Sequence, residues 1–190
     1  MSRSSPVFFL NGVTQVAAAG ETPGRPLNSP ENLDQLSAEQ CDSYRRQNVS
    51  SGPHSVSVVV PARNRARLIK PCLNSLLRAA ESLASLQVQA EIVVANDAST
   101  DETPQVVDRV AASSSIPVRR VDLPTRQGPG RARNAAIEAA SGELIVFVDS
   151  DVVVEEEFLT AHVMAHRNSG PQIFTVGKLI SVPSLEAALA

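Results

Sequence analysis

The chain has 190 residues, a formal net charge of −3 at pH 7 and 43% hydrophobic residues. This length and hydrophobic content suffice for one domain with an aliphatic core, since aromatic residues make up only 3%. The slightly acidic balance excludes a general electrostatic attraction to nucleic acid or to an anionic membrane, so no nucleic-acid partner is expected.

The first 52 residues differ in composition from the rest of the chain. They are rich in Ser, Pro, Gly, Asn and Gln and show no lasting period of 2 or 3.6, apart from a weak helical hint at residues 33–44. Such a composition buries too little apolar surface to offset the entropy of ordering. The apolar residues 7–10 are too few for the core of a signal peptide. We therefore predict a mobile tail over residues 1–52 and a folded domain over residues 53–190.

After this tail, strands alternate with helices. Apolar runs predict four strands, at residues 55–60, 91–95, 117–123 and 144–148. Residues 69–83 place apolar side chains on one helical face. A second helix is predicted with Thr103 as its cap and Pro104 at its first position. A third covers residues 131–141 and ends at Gly142 in a left-handed conformation. The alternation predicts an α/β fold with a mostly parallel sheet and flanking helices.

A fourth helix is predicted to begin near Glu155 and to place His162 and His166 on one face. That spacing can bind zinc, but no third ligand is evident, so two partly exposed surface histidines are expected. Cys41 and Cys72 form neither a metal-ligand spacing nor a disulfide framework, which fits a reducing cytoplasm. No run approaches the ~20 apolar residues of a membrane span. We expect a cytoplasmic protein without a transmembrane segment, with peripheral membrane contact left open.

The fourth predicted strand ends in two carboxylates, Asp149 and Asp151, separated by Ser150. Two hard oxygen ligands suit magnesium or manganese, because substrate phosphates and water complete the coordination shell of such an ion. The alternative is a solvated turn that merely ends a strand. The Asp-x-Asp pattern alone does not decide between them.

Three polar loops follow the carboxyl ends of predicted strands, at residues 61–65, 96–101 and 149–151. Ligands of open α/β sheets bind beyond these strand ends, so the three loops should converge on one crevice. The segment Gly128-Pro129-Gly130-Arg131 adds a glycine-rich entry to a helix N-terminus, which favours an anion.

Four motifs in this order resemble those of the family 2 glycosyltransferases, whose nucleotide-sugar half has the GT-A fold. They are Pro61-Ala62-Arg63-Asn64, Asn96-Asp97-Ala98-Ser99-Thr100-Asp101, Gly128-Pro129-Gly130-Arg131-Ala132-Arg133-Asn134 and Asp149-Ser150-Asp151. The resemblance spans roughly residues 55–158. It is specific because all four motifs occur together.

The resemblance implies a nucleotide pocket. Asp97 would bind the base, and Pro61 with Ala62 would line the uridine site through backbone contacts. Arg63 and Ser150 are expected in the same substrate-binding set, although Arg63 is equally well explained as a solvated loop side chain. For Asp97 the alternative is a turn in which the carboxylate bonds its own backbone.

The resemblance also implies a metal and diphosphate site. Asp149 would lie near the ribose and the metal, and Asp151 would coordinate the divalent metal (manganese or magnesium) that bridges the diphosphate. Arg133 would help to hold the phosphates, since a guanidinium can donate two parallel hydrogen bonds.

Two departures from the family pattern are visible. Asn96 stands where the family has a carboxylate, and Ala98 where it has a glycine. The chain also ends at Ala190, about forty residues after the Asp-x-Asp motif. The family places its catalytic base and acceptor site beyond that distance, so the donor half is expected here and the catalytic residue is unknown.

The resemblance therefore implies inverting transfer of a sugar from a nucleotide-diphosphate sugar, most simply a UDP-sugar, to an unknown glycan, lipid or protein acceptor. One alternative is a truncated module that binds nucleotide-sugar without transferring it. A nucleotidyltransferase is a further alternative, but that class carries its glycine-rich loop after the first strand, which is not where this chain has one. A phosphatase is another, but that class carries Asp-x-Asp after its first strand, whereas here the motif follows the fourth.

Overall fold

The computed structural model of the protein describes residues 7–16, 52–169 and 174–182. The strands are β1 (Val7–Val16), β2 (Ser55–Ala62), β3 (Gln89–Asp97), β4 (Val118–Leu123), β5 (Leu144–Phe147), β6 (Val152–Val154) and β7 (Phe174–Val182). The helices are α1 (Ile69–Ser82), α2 (Thr103–Ser113), α3 (Pro129–Ala139) and α4 (Phe158–Ser169), and a 3-10 turn at Leu83–Leu86 extends α1.

The main sheet has four parallel strands in the order β4-β3-β2-β5. The chain moves outward from β2 through β3 to β4 and then returns to place β5 on the other side of β2. This confirms the predicted α/β fold with a parallel sheet. It also brings the carboxyl ends of β2, β3 and β5 side by side, where α/β proteins bind their ligands.

Both faces of the sheet are covered, because successive side chains of a strand point to opposite faces. One face carries Val58, Ile92 and Val94 and packs against α1, α2 and α4. The other face carries Val59 and Val93 and packs against α3. Full burial of each such aliphatic side chain contributes about 1.5–3 kcal/mol, so the core on both faces holds the strand ends in fixed positions.

Helix α3 lies close to the sheet because its buried residues are alanines, Ala132 and Ala136. The prediction that Gly142 ends this helix in a left-handed conformation is wrong. The cap is Ala140 with extended backbone, and Gly142 has no positive φ. Glycine is needed at position 142 because a Cβ atom there would lie 2.5 Å from the backbone nitrogen of Ser57.

Two predicted helix starts also shift. Thr103 is the first residue of α2 rather than its cap, which is Glu102. The Thr103 hydroxyl instead donates to Oδ1 of Asp101, in the loop before the helix, at 2.5 Å. Helix α4 begins at Phe158 and not near Glu155.

A second sheet has the order β6-β1-β7, with β1 parallel to β6 and antiparallel to β7. The strand at residues 7–16 departs from the predicted mobile tail. Its pairing partners lie more than 130 residues further along the chain, so no local period reveals them. Residues 1–6 and 17–51 lie outside the described part, and the domain boundary at residue 52 stays a prediction. None of the described helices is long and apolar enough to cross a bilayer.

Candidate functional site

A crevice of about 590 Å³ opens at the carboxyl ends of β2, β3 and β5, beside the N-terminus of α3. The predicted substrate and metal residues all line it: Pro61, Ala62, Arg63, Asp97, Arg133, Asp149, Ser150 and Asp151. The parallel order of the strands explains this convergence, because it brings the loops that follow them to one edge of the sheet.

The loop after β2 is bonded to the loop after β3. Asn64 N–H donates to Ser99 Oγ at 3.0 Å, and Asn64 Oδ1 accepts Thr100 N–H at 2.9 Å. Asn64 has a φ of +51°, a left-handed conformation that asparagine tolerates better than most residues. The asparagine of this motif therefore joins two loops of the crevice wall.

A second set of bonds fixes the start of α1. Arg65 N–H donates to Thr103 Oγ1 at 2.7 Å, and Ala66 N–H donates to Asp101 Oδ2 at 3.1 Å. Burial raises the pKa of Asp101, but the hydrogen bonds from Thr103 and Ala66 outweigh it and leave that pKa below its usual range. Asp101 thus stays ionised and holds both loops.

Arg63 lines the crevice, but its guanidinium is engaged with the protein backbone. Its Nη1 donates to the carbonyl oxygens of Asp97 at 2.8 Å and of Ala98 at 3.0 Å. The Arg63 side chain was predicted to bind substrate. In the structure it supports the loop after β3.

Asp97 is only 4% exposed and occupies the last position of β3. Its Oδ1 accepts Gln127 N–H at 2.6 Å, and its Oδ2 accepts Gly128 N–H at 2.9 Å. This is not the local turn given as the alternative, because both partners lie at least thirty residues away. Asp97 therefore fixes the loop before α3. Each of its carboxylate oxygens keeps a second lone pair for a further donor. Contact with a base stays a prediction.

Of the two departures from the family motif, the one at position 96 has a local explanation. Asn96 Nδ2 donates to Asp122 Oδ1 at 2.6 Å, and its Oδ1 accepts Ser99 N–H at 3.2 Å. A carboxylate at position 96 would lose that donor and face a second carboxylate, so the amide suits its neighbour. Ala98 has a φ of +48°, the left-handed region where glycine is favoured.

The Asp-x-Asp residues lie in the turn between β5 and β6, because β5 ends at Phe147. The Asp149 side chain is 60% exposed, and Arg133 Nη2 donates to its Oδ1 at 2.7 Å. The Asp151 side chain is 19% exposed, and its Oδ2 lies 3.9 Å from Arg65 Nη2. Ser150 is buried between them. Each carboxylate of the motif therefore has an arginine beside it.

The donor chemistry of this turn fits a divalent metal bound together with a phosphate. Among the described residues, no three His, Cys, Asp or Glu side chains are grouped to hold a metal ion by themselves. Asp149 and Asp151 supply two hard oxygen donors in the crevice. Magnesium is commonly held by one or two carboxylates, with substrate phosphates and water completing its shell.

Arg126 also lines the crevice and is exposed, although no sequence motif singled it out. It lies two residues before Gly128, so the signal that could have found it is a basic residue just ahead of a glycine-rich helix start.

The prediction of two surface histidines is wrong for His162, which is 5% exposed. Its ring packs edge-on against Phe158, and its Nδ1 shares a hydrogen bond with Thr175 Oγ1. Burial and the neighbouring His166 lower the pKa of His162 to about 4, so it is neutral at pH 7. It lines a separate crevice beside β5 rather than the one described above.

Residues 57–181 match the model of a known family, Glycosyl transferase family 2. The chain belongs to this family. The matched range contains all four sequence motifs and every residue that lines the crevice. The family match confirms the predicted relationship to the family 2 glycosyltransferases.

Characterised relatives of this family 2 chain include two bacterial proteins. The poly(ribitol-phosphate) β-N-acetylglucosaminyltransferase TarS of Staphylococcus aureus is 36% identical over 103 residues, which are 54% of this chain and 17% of TarS. The succinoglycan biosynthesis protein ExoO of Rhizobium meliloti is 40% identical over 119 residues, which are 62% of this chain and 31% of ExoO. The chain spans less than a third of the length of either relative.

Two solved structures share the fold. Residues 1–349 of TarS in complex with UDP-GlcNAc give a TM-score of 0.53 at 33% identity, over 60% of this chain and 31% of that one. The mannosyltransferase PcManGT of Pyrobaculum calidifontis, in complex with GDP-Man and Mn²⁺, gives 0.53 at 27% identity, over 65% and 34%. These neighbours confirm the predicted GT-A fold.

Proposed function

We propose that this chain binds a nucleotide-diphosphate sugar, a UDP-sugar in the first instance, together with a divalent cation. In the whole protein it would supply the donor site for inverting transfer to a glycan, lipid or protein acceptor. The observation that carries the proposal is the single crevice that joins Asp97, Arg133, Asp149 and Asp151. TarS and PcManGT were solved with nucleotide-sugars, which supports the same ligand class for this chain.

The proposed roles follow the chemistry of each side chain. Pro61, Ala62 and Asp97 would meet the nucleoside, and Arg133 would donate to the diphosphate. Asp149 and Asp151 would hold manganese or magnesium. When bound, such a cation neutralises negative charge that develops on the departing diphosphate.

A second candidate is a donor-binding module without transfer activity. Within the described part of the chain, the carboxylates that line the crevice are Asp97, Asp149 and Asp151, and the proposal already uses all three. None of them is left to act as the base that activates an acceptor hydroxyl. Incubation with UDP-GlcNAc and analysis for UDP release separates turnover from binding alone.

A cytoplasmic location is also part of the proposal. It rests on the two cysteines, which lack a disulfide framework in the sequence. Fractionation of cells that express the full-length protein is the corresponding measurement.

The proposed function is tested by isothermal titration of the chain with UDP, with and without manganese, and with GDP for comparison. UDP should bind, and manganese should raise its affinity by about tenfold or more, because Asp149 and Asp151 would hold a cation whose charge favours the diphosphate. A folded sample that binds neither nucleotide under either condition contradicts the donor-site assignment.

Asp151→Asn should bind UDP with little dependence on manganese and keep its free energy of unfolding within about 0.5 kcal/mol, because a partly exposed ligand is removed without a cavity. Asp108→Asn is a matched control, since it removes the same charge from a carboxylate of α2 outside the crevice. If the UDP affinity of Asp151→Asn depends on manganese as strongly as that of the unchanged chain, Asp151 is not a metal ligand and the turn merely ends a strand.

A further inference from the structure

Both carboxylates assigned to the metal are paired with arginines that line the same crevice. Arg133 Nη2 lies 2.7 Å from Asp149 Oδ1, and Arg65 Nη2 lies 3.9 Å from Asp151 Oδ2. We propose that Arg65 is a charge-exchange residue of this site. It neutralises Asp151 before the ligand enters and turns to the diphosphate when metal and nucleotide bind, so that the two ligands bind as a coupled pair. This inference rests on the proposed function.

The charges in the crevice explain why the two ligands should depend on each other. Two guanidinium groups and two carboxylates form a nearly neutral quartet. A divalent cation that enters alone has to compete with the guanidinium groups for the carboxylates, and a diphosphate that enters alone has to approach those carboxylates. When both are bound, Asp149 and Asp151 would hold the metal and the two arginines would donate to the phosphate oxygens, so that every charge keeps a partner.

Arg65 is suited to this exchange because its backbone is fixed while its guanidinium makes only long contacts, among them one from Nη1 to the carbonyl oxygen of Asn64 at 3.5 Å. Its N–H donates to Thr103 Oγ1 at 2.7 Å, which anchors the residue at the crevice wall. Its Nη2 lies 3.9 Å from Asp151, beyond hydrogen-bond distance, and the Arg65 side chain is 39% exposed. A contact this long, between a half-exposed guanidinium and a partly exposed carboxylate, is weak and easily exchanged.

The neighbouring Arg63 shows the opposite arrangement. It donates two hydrogen bonds, of 2.8 Å and 3.0 Å, to carbonyl oxygens of the loop after β3. Turning Arg63 to a ligand would leave those two carbonyl groups without this donor. Of the two arginines that flank Asn64, only Arg65 can therefore change partner at small cost.

The inference predicts two opposite effects of one substitution. Arg65→Ala should bind manganese alone about threefold more tightly, because the cation that competes for Asp151 is gone. The same variant should bind UDP in the presence of manganese about tenfold more weakly, because a charged donor to the diphosphate is lost. A residue that only supports the fold would not shift the two affinities in opposite directions.

The experiment measures free manganese by electron paramagnetic resonance and UDP binding by calorimetry, on the whole chain. Arg67→Ala is the matched control, since Arg67 is exposed, lies two residues further on and does not line the crevice. It should change neither affinity by more than about 1.5-fold, the scale of an ordinary surface charge. Arg65→Lys keeps the charge without the planar fork, so it should bind manganese like the unchanged chain and UDP with intermediate affinity.

The outcomes separate this inference from the proposed function. If the unchanged chain binds no UDP with or without manganese, the proposed function and the role of Arg65 are both contradicted. If it binds UDP with manganese but Arg65→Ala leaves the affinity for manganese alone unchanged or weaker, only the role of Arg65 falls. Opposite shifts in Arg65→Ala together with an unaffected Arg67→Ala support the exchange.

Discussion

Strand β3 carries two acidic side chains on the face that α3 covers, Glu91 near its amino end and Asp97 at its carboxyl end. Both bind segments that flank α3. Asp97 accepts the backbone N–H groups of Gln127 and Gly128 before the helix, and Glu91 accepts the backbone N–H of Ser141 after it. One strand therefore fixes both ends of the helix that carries Arg133.

The lengths of the two elements make this possible. The two acidic residues are six positions apart in the strand, a rise of about 20 Å, and the eleven residues of α3 rise by about 16 Å. Between the carboxylates, Val93 and Ala95 pack with Ala132 and Ala136 in one small core cluster. Each acidic residue therefore holds the segment at one end of the same helix.

The two acidic residues differ in how many hydrogen bonds the protein donates to each carboxylate. Glu91 accepts Ser57 Oγ at 2.6 Å, Ser141 N–H at 2.7 Å, Ser141 Oγ at 2.8 Å and Arg119 Nη2 at 2.7 Å. Asp97 has two backbone donors and faces the crevice. A buried carboxylate at the amino edge of the sheet is thus structural, whereas one at the carboxyl edge keeps acceptor capacity for a ligand.

The largest effect is expected for Glu91→Gln. The substitution removes the charge from at least four hydrogen bonds and leaves Arg119 without its ion pair, so the free energy of unfolding should fall by about 2–3 kcal/mol. Urea denaturation gives this value, and UDP affinity of the folded variant should stay within about twofold. Glu138→Gln, on the exposed side of α3, is the control and should change stability by less than about 0.5 kcal/mol.

Acid should reproduce the effect of this substitution. Burial raises the pKa of Glu91, but hydrogen bonds from Ser57, Ser141 and Arg119 outweigh it and lower the pKa from 4.5 to about 2. Because the folded pKa is depressed, the stabilisation is complete above pH 4.5 and is lost as the pH falls toward 2. The stability difference between the unchanged chain and Glu91→Gln should shrink over that range. A constant difference would show that ionisation of Glu91 does not contribute.

A smaller loss of stability, with a loss of binding, is expected for Asp97→Ala. Removing two charge-assisted acceptors should cost about 2 kcal/mol, and UDP affinity should fall about tenfold as the loop before α3 loosens. Titration with pyrophosphate and manganese separates the two roles of Asp97. If the carboxylate acts only through the base, pyrophosphate affinity will stay unchanged; if it positions the loop, that affinity will fall as well.

The smallest effect is expected at Ala98, whose φ of +48° is strained for a residue with a Cβ atom. Ala98→Gly should raise the free energy of unfolding by about 0.5 kcal/mol, since relief of the left-handed strain slightly exceeds the added entropy of the unfolded chain. Thermal unfolding is the measurement, and UDP affinity should not change. A loss of stability would mean that the turn carries no strain at this residue.

The sequence predicted the order of strands and helices from residue 55 onward because each element has its own apolar period. Ser55–Ala62 and Gln89–Asp97 are continuous buried strands, and Ile69–Ser82 has one apolar face. Motif spacing also predicted which residues would meet at one crevice, since loops after parallel strands gather at one edge. Their roles toward nucleotide and metal stay predictions.

Tertiary structure alone decided which partner each side chain has. Arg63 bonds carbonyl groups rather than solvent, His162 is buried, and Gly142 is required by the backbone of β2 rather than by a left-handed turn. The strand Val7–Val16 exists through pairing with β6 and β7. Local sequence determines the period of an element, but hydrogen-bond partners and close contacts depend on residues far apart in the chain, which become neighbours only when the sheet has formed.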